Sequence, residues 1–138
     1  MNRSNCLLLL VAFVFSCAVG GCGSSSETGP PQAVALSQSD SGRTVYLLQD
    51  QIMTASLPGN PSTGYTWEVS PSADSVLAQQ GNPEYVPDSN AIGSGGTYRF
   101  TFKAISPGTA PLNLVYRRPL ETGAAPVQTF WVTVTVDG

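Results

Sequence analysis

Three short loops hold the residues of this chain whose types and spacing could do chemistry, and the chemistry is recognition. They are Asn60-Pro61-Ser62-Thr63-Gly64-Tyr65, Gly93-Ser94-Gly95-Gly96 and Arg118-Pro119-Leu120. In the first, proline fixes φ at about −65° and asparagine can bond its own backbone. Gly64 then permits a positive φ that other residues resist. The expected product is a stiff wedge with Ser62 and Thr63 at its tip, hydroxyls and amides outward, and Tyr65 anchoring it from beneath. In the second loop, glycines let the backbone approach another surface closely. The third ends a strand with a rigid turn, a long cation and an exposed apolar side chain. Alone, each also reads as an ordinary feature: a well-made hairpin turn, a flexible hairpin tip, a solvated Arg-Pro turn.

The rest of the inventory argues against catalysis. The chain contains no histidine, which removes Ser-His and Cys-His nucleophiles and the commonest zinc ligand. The acidic residues Asp40, Asp50, Glu68, Asp74, Glu84, Asp88 and Glu121 are scattered, with no pairing that suggests a carboxylate dyad or a calcium loop. Gly93 to Gly96 is not a phosphate cradle, because no lysine follows it and a strand pattern comes next instead of a helix. Neither an enzyme nor a metal or cofactor is expected.

The elements that must position these loops are strands. From Ala33 onward apolar residues recur with period two: Val45 and Leu47 lead to Met53, Ala55 and Leu57, followed by Tyr65, Trp67 and Val69. Tyr98, Phe100, Phe102 and Ala104 come next, then Leu112, Leu114 and Tyr116, then Phe130, Val132, Val134 and Val136. Such alternation gives each strand one face in a core and one in water. Turn signals at Pro58-Gly59, Pro71-Ser72, Pro87-Asp88, Pro107-Gly108 and Glu121-Thr122-Gly123 separate the strands. The expected fold class is all-β, an immunoglobulin-like β-sandwich of about seven antiparallel strands. The Cys–Trp–Cys signature of true immunoglobulin domains is missing, so the match is architectural. Trp67 is the candidate core tryptophan, and Trp131 alternates onto an outward face.

The N-terminal residues read as an address. Arg3 precedes an apolar or small run, Leu7 to Val19, too short for a bilayer span of about 20 residues. It ends in Val19-Gly20-Gly21-Cys22, which resembles a bacterial lipobox; the alternative is an ordinary secretory signal with a coincidental cysteine. The expected organisation is a signal peptide at 1–21, a flexible Ser- and Pro-containing tether at 22–32 and one domain at 33–138. Cleavage before Cys22 removes 21 of the 138 residues and leaves 117, enough for one domain. Cys6 and Cys17 would leave with the leader and Cys22 would carry lipid, so the fold must hold without a disulfide. Loss of Arg3 leaves five basic against nine acidic residues, a net charge of −4, which argues against nucleic acid. The expected location is the cell envelope, periplasmic or surface-facing. The outer membrane is favoured, because Gly23-Ser24 lacks the aspartate that favours inner-membrane retention. A monomer is the default.

Taken together, the loops resemble those of the chagasin family of cysteine-peptidase inhibitors. That family is marked by an NPTTGF/Y-type loop, a GxGG loop and an RPW/F-type loop, in this order on an immunoglobulin-like sandwich. Here Ser62 stands in place of the first threonine, the second motif matches fully, and Leu120 stands where the family usually has an aromatic residue. The resemblance covers roughly Ala33 to Val136, spacing included. It implies a reversible, non-covalent inhibitor of papain-like cysteine peptidases. Asn60 to Tyr65 would occlude the nucleophile, Gly93 to Gly96 would grip one cleft wall through Gly95 and Gly96, and Arg118, Pro119 and Leu120 would pack on the other. A different class also fits the residues: an immunoglobulin-like envelope lipoprotein whose loops bind a non-peptidase protein. Carbohydrate binding comes third, since only Trp131 offers an exposed aromatic platform.

Overall fold

The computed structural model describes residues 31–138. The leader, Cys22 and most of the tether lie outside the described residues. Nine strands form two sheets. The first sheet contains β1 (Val34–Ser37), β3 (Ile52–Gly59), β7 (Gly96–Ala104) and β5 (Leu77–Gln79) in that order, with β6 (Glu84–Pro87) also pairing β7. The second runs β2 (Thr44–Leu48), β9 (Gln128–Asp137), β8 (Gly108–Arg117) and β4 (Thr66–Ser70).

The period-two pattern is realised strand by strand. In β7 the burial alternates from Gly96 through Tyr98, Phe100, Phe102 and Ala104, and β8 and β9 do the same through Tyr116 and Val136. The inward side chains of both sheets meet in one core with Phe100, Phe102, Phe130, Leu57, Leu114 and Val132 among its most buried members. Trp67 is 3% exposed, and its indole Nε1 donates to the Pro58 carbonyl at 2.9 Å. The core tryptophan thus ties the two sheets together directly beneath the first loop.

Two features differ from the expected seven antiparallel strands. There are nine strands among the described residues, and two pairings are parallel: β1 with β3, and β2 with β9. The reason is a sheet switch. One edge segment pairs with β3, breaks at a 3-10 turn over Gln38–Asp40 and resumes beside β9. Asp40 fixes the break, since its carboxylate accepts from the Ser37 amide at 2.8 Å and binds Arg43 at 2.7 Å. The additional short strands β5 and β6 both pair with β7, too brief for their alternation to stand out.

Candidate protein-binding site

All three motifs lie at one end of the sandwich. Gly59 pairs with Gly96 at the end of the first sheet, and Thr66 with Arg117 at the end of the second. The first loop joins β3 to β4, so it arches from one sheet to the other and is not a hairpin turn. The second loop is the hairpin between β6 and β7 in the first sheet, and the third is the hairpin between β8 and β9 in the second. The wedge therefore stands between two flanking hairpins, one from each sheet.

The wedge is a 3-10 turn over Pro61–Thr63. Asn60 caps it: its Oδ1 accepts from the Ser62 amide at 3.1 Å and from the Ser62 hydroxyl at 2.6 Å. The Thr63 hydroxyl donates to the Asn60 carbonyl at 2.6 Å, and the Gly64 amide to the Pro61 carbonyl at 3.0 Å. Gly64 has φ of 80°, the left-handed conformation that its lack of a Cβ permits. The hydroxyls and amides expected to face outward are instead turned back to brace the loop. A short turn with four exposed residues, Pro61 to Gly64, needs those bonds to hold its shape in water.

Each loop rests on a tyrosine. The Tyr116 hydroxyl accepts from the Asn60 amide at 2.8 Å. The Tyr85 hydroxyl lies 3.5 Å from the Ser94 carbonyl and donates to it. Tyr65 is half-buried just before β4, stacks on Tyr116 with centroids 5.5 Å apart, and carries the Arg118 guanidinium 4.6 Å above its ring. Tyr65 thus anchors from beneath, as its position after Gly64 suggested.

Side chains also lock the loops to one another. Asn60 Nδ2 donates to the Gly93 carbonyl at 2.9 Å, joining the wedge to the second loop. Arg118 Nε donates to the Thr63 carbonyl at 3.3 Å, joining it to the third, while Nη1 pairs with Glu121 at 2.9 Å. The Glu121 carboxylate, more than the Tyr65 ring, holds the Arg118 pKa above its ordinary value. Arg118 is therefore a clamp within the cluster, whereas Pro119 and Leu120 project. The second loop is braced as well: Ser94 Oγ donates to the Ser89 carbonyl at 2.9 Å and the Asp88 amide to Gly95 at 2.9 Å. Gly96 is buried as the first residue of β7. A Cβ there would collide with the Val86 carbonyl and sit 2.6 Å from the Tyr85 hydroxyl. Gly96 shapes the loop from within, and Gly93 to Gly95 form its accessible backbone.

One surface residue was not among the candidates. Ile92 in the second loop is fully exposed, and Leu120 in the third is 96% exposed. The polar wedge is thus flanked by one bare aliphatic side chain on each side. An isoleucine inside an Asp-, Ser- and Gly-rich loop was the available signal. Trp131 is 47% exposed on the outer face of the second sheet and lies 3.5 Å from where a Cβ of Gly42 would stand. Its backbone carbonyl accepts from the Gly42 amide at 2.7 Å and from the Ser41 hydroxyl at 3.5 Å, both in the segment between β1 and β2. Among the described residues no group of histidine, cysteine, aspartate or glutamate could hold a metal ion.

Comparison with known proteins places this geometry. The sequence profile of the Chagasin family peptidase inhibitor I42 matches residues 47–134. The chain is 30% identical to chagasin of Trypanosoma cruzi over 90 residues, spanning 61% of this chain and 80% of chagasin. It is 32% identical to amoebiasin-1 of Entamoeba histolytica over 106 residues, 75% of this chain and 99% of that protein. Among solved structures, a cysteine protease inhibitor from Entamoeba histolytica superposes with a TM-score of 0.69 at 25% identity, covering 79% of this chain and 100% of that one. The solution structure of amebosin superposes with a TM-score of 0.64 at 31% identity, covering 77% and 99%.

Proposed function

The chain belongs to the chagasin family of peptidase inhibitors, and we propose that it blocks papain-like cysteine peptidases reversibly by filling their active-site cleft with the three loops. The observation that carries this reading is the interlock: Asn60 and Arg118 bind the wedge to both flanking loops. A binding surface already fixed in shape loses little conformational entropy on docking, so more of its contact energy appears as affinity. In this reading Ser62 and Thr63 enter the cleft over the nucleophile. Gly93 to Gly95 and Ile92 meet one wall, and Pro119 and Leu120 meet the other. The two aliphatic side chains supply the apolar anchors, in place of one aromatic residue on the third loop.

The same geometry would protect the wedge from cleavage in a peptidase cleft. Cleavage needs a peptide bond held in line with the attacking sulfur. The Pro61–Thr63 segment is a 3-10 turn with its amides bonded inside the loop, so no extended peptide bond is offered. Inhibition without turnover follows. The domain would be carried on the envelope by lipid on Cys22 after removal of residues 1–21, preferentially on the outer membrane, and would act as a monomer.

Steady-state kinetics test the reading. Titration of papain with the mature chain should raise the apparent KM for a fluorogenic peptide and leave kcat unchanged, with activity restored on dilution. A fall in kcat at unchanged KM would place the contact outside the cleft.

A further inference from the structure

Both ends of the described chain lie at the pole of the sandwich away from the loops. β1 starts at Val34 opposite Met53, near the start of β3, and Gln51 Nε2 holds the Gln32 carbonyl there at 2.5 Å. β9 ends at Asp137 opposite Leu48, at the same pole. β3 then runs eight residues to Gly59 under the wedge, about 27 Å at the rise of an extended strand.

We infer that N-terminal attachment and peptidase capture use opposite poles, so that the domain inhibits while anchored. The inference rests on the inhibitor reading above and on attachment at Cys22. The ten residue steps from Cys22 to Gln32 reach at most about 35 Å. Attached there, an upright domain holds its loops away from the surface and open to solution.

Cys22 is the single cysteine of the chain once Cys6 and Cys17 are gone, and this makes the test direct. The unlipidated chain from Cys22 onward is measured against papain free in solution, then coupled through the Cys22 thiol to vesicles containing a maleimide lipid, with unreacted maleimide quenched by excess thiol before papain is added. A Cys22→Ser, Ala125→Cys variant, coupled at the loop pole through an exposed residue, is measured in the same two states. The inhibition constant of the Cys22-coupled protein should stay within about twofold of the free value. The Ala125-coupled variant should lose at least about tenfold while inhibiting normally when free. A tenfold loss on Cys22 coupling, or none on Ala125 coupling, overturns the polar arrangement. Absence of inhibition by the free, uncoupled chain defeats the inhibitor reading itself, which separates the two failures.

Discussion

Arg118 directs its charge into the loop cluster. Its guanidinium lies over Tyr65, donates to the Thr63 carbonyl and pairs with Glu121. The pair with Glu121 is solvent-exposed and stabilises little, so the hydrogen bond and the ring contact carry the clamp. Arg118→Met should weaken inhibition by roughly tenfold to thirtyfold, corresponding to about 1.5–2 kcal/mol. Arg118→Lys should recover part of that loss. A variant that inhibits normally while the wedge amides of Ser62 to Gly64 exchange faster would separate clamping from affinity and contradict the assignment. The apolar anchors predict differently. Ile92→Ser and Leu120→Ser should each raise the inhibition constant about tenfold with no change in melting temperature, because both side chains are bare in the free protein. The turn of the wedge was legible because the residues that shape it are neighbours: Asn60, Pro61 and Gly64 set cap, φ and left-handed exit within five residues. The roles of Tyr116 and of Asn60 toward the second loop were not, because those bonds join residues 56 and 33 positions apart. No spacing rule reaches that far.

The elements explain why three separate motifs act as one surface. The first loop crosses between sheets, and Trp67 bonded to Pro58 fixes the width of that crossing. Hairpins of β6–β7 and β8–β9 then rise on either side. Gly96 is the tightest joint in this construction, since any Cβ meets the Val86 backbone and the Tyr85 ring. Gly96→Ala should cost about 1–3 kcal/mol. That lowers the melting temperature by several degrees for a domain of this size, read by calorimetry. It should also weaken inhibition, because the second loop would lose its seat and with it the Asn60–Gly93 bond. An unchanged melting temperature would contradict this account. The longer strands β7, β8 and β9 were readable from alternation, as were β2, β3 and β4. The strands β5 and β6 were not, with three and four residues apiece. Nor does period two distinguish parallel from antiparallel pairing, so the sheet switch at Asp40 had no signature in the sequence.

The whole molecule is a two-sheet sandwich without a disulfide among its described residues, and its stability rests on the core. Phe130→Ala, at a fully buried site, should cost about 3–5 kcal/mol. Acid sensitivity has one identified contributor. The Ser37 amide, followed by Arg43, holds the Asp40 carboxyl below its ordinary 3.8. A depressed carboxylate stabilises the fold above its unfolded pKa, and that contribution disappears as pH falls through the lower folded value. Loss is therefore expected only in strongly acidic solution. Between pH 5 and 8 the absence of histidine leaves no side chain on the inhibitor whose ordinary pKa falls in that window. The inhibition constant should be flat across it after correction for the peptidase's own titration, and a residual dependence would point to a group on the inhibitor. The wedge is tested by a paired titration of papain with the wild-type chain and with Thr63→Arg, with melting curves for both. Competitive inhibition is expected from the wild type and at least about a hundredfold loss from the variant with the fold retained, well beyond the loss caused by Thr63→Val, which removes the same hydroxyl brace without a bulky cation at the tip. Equal inhibition by the wild type and Thr63→Arg would contradict the wedge's place in the cleft.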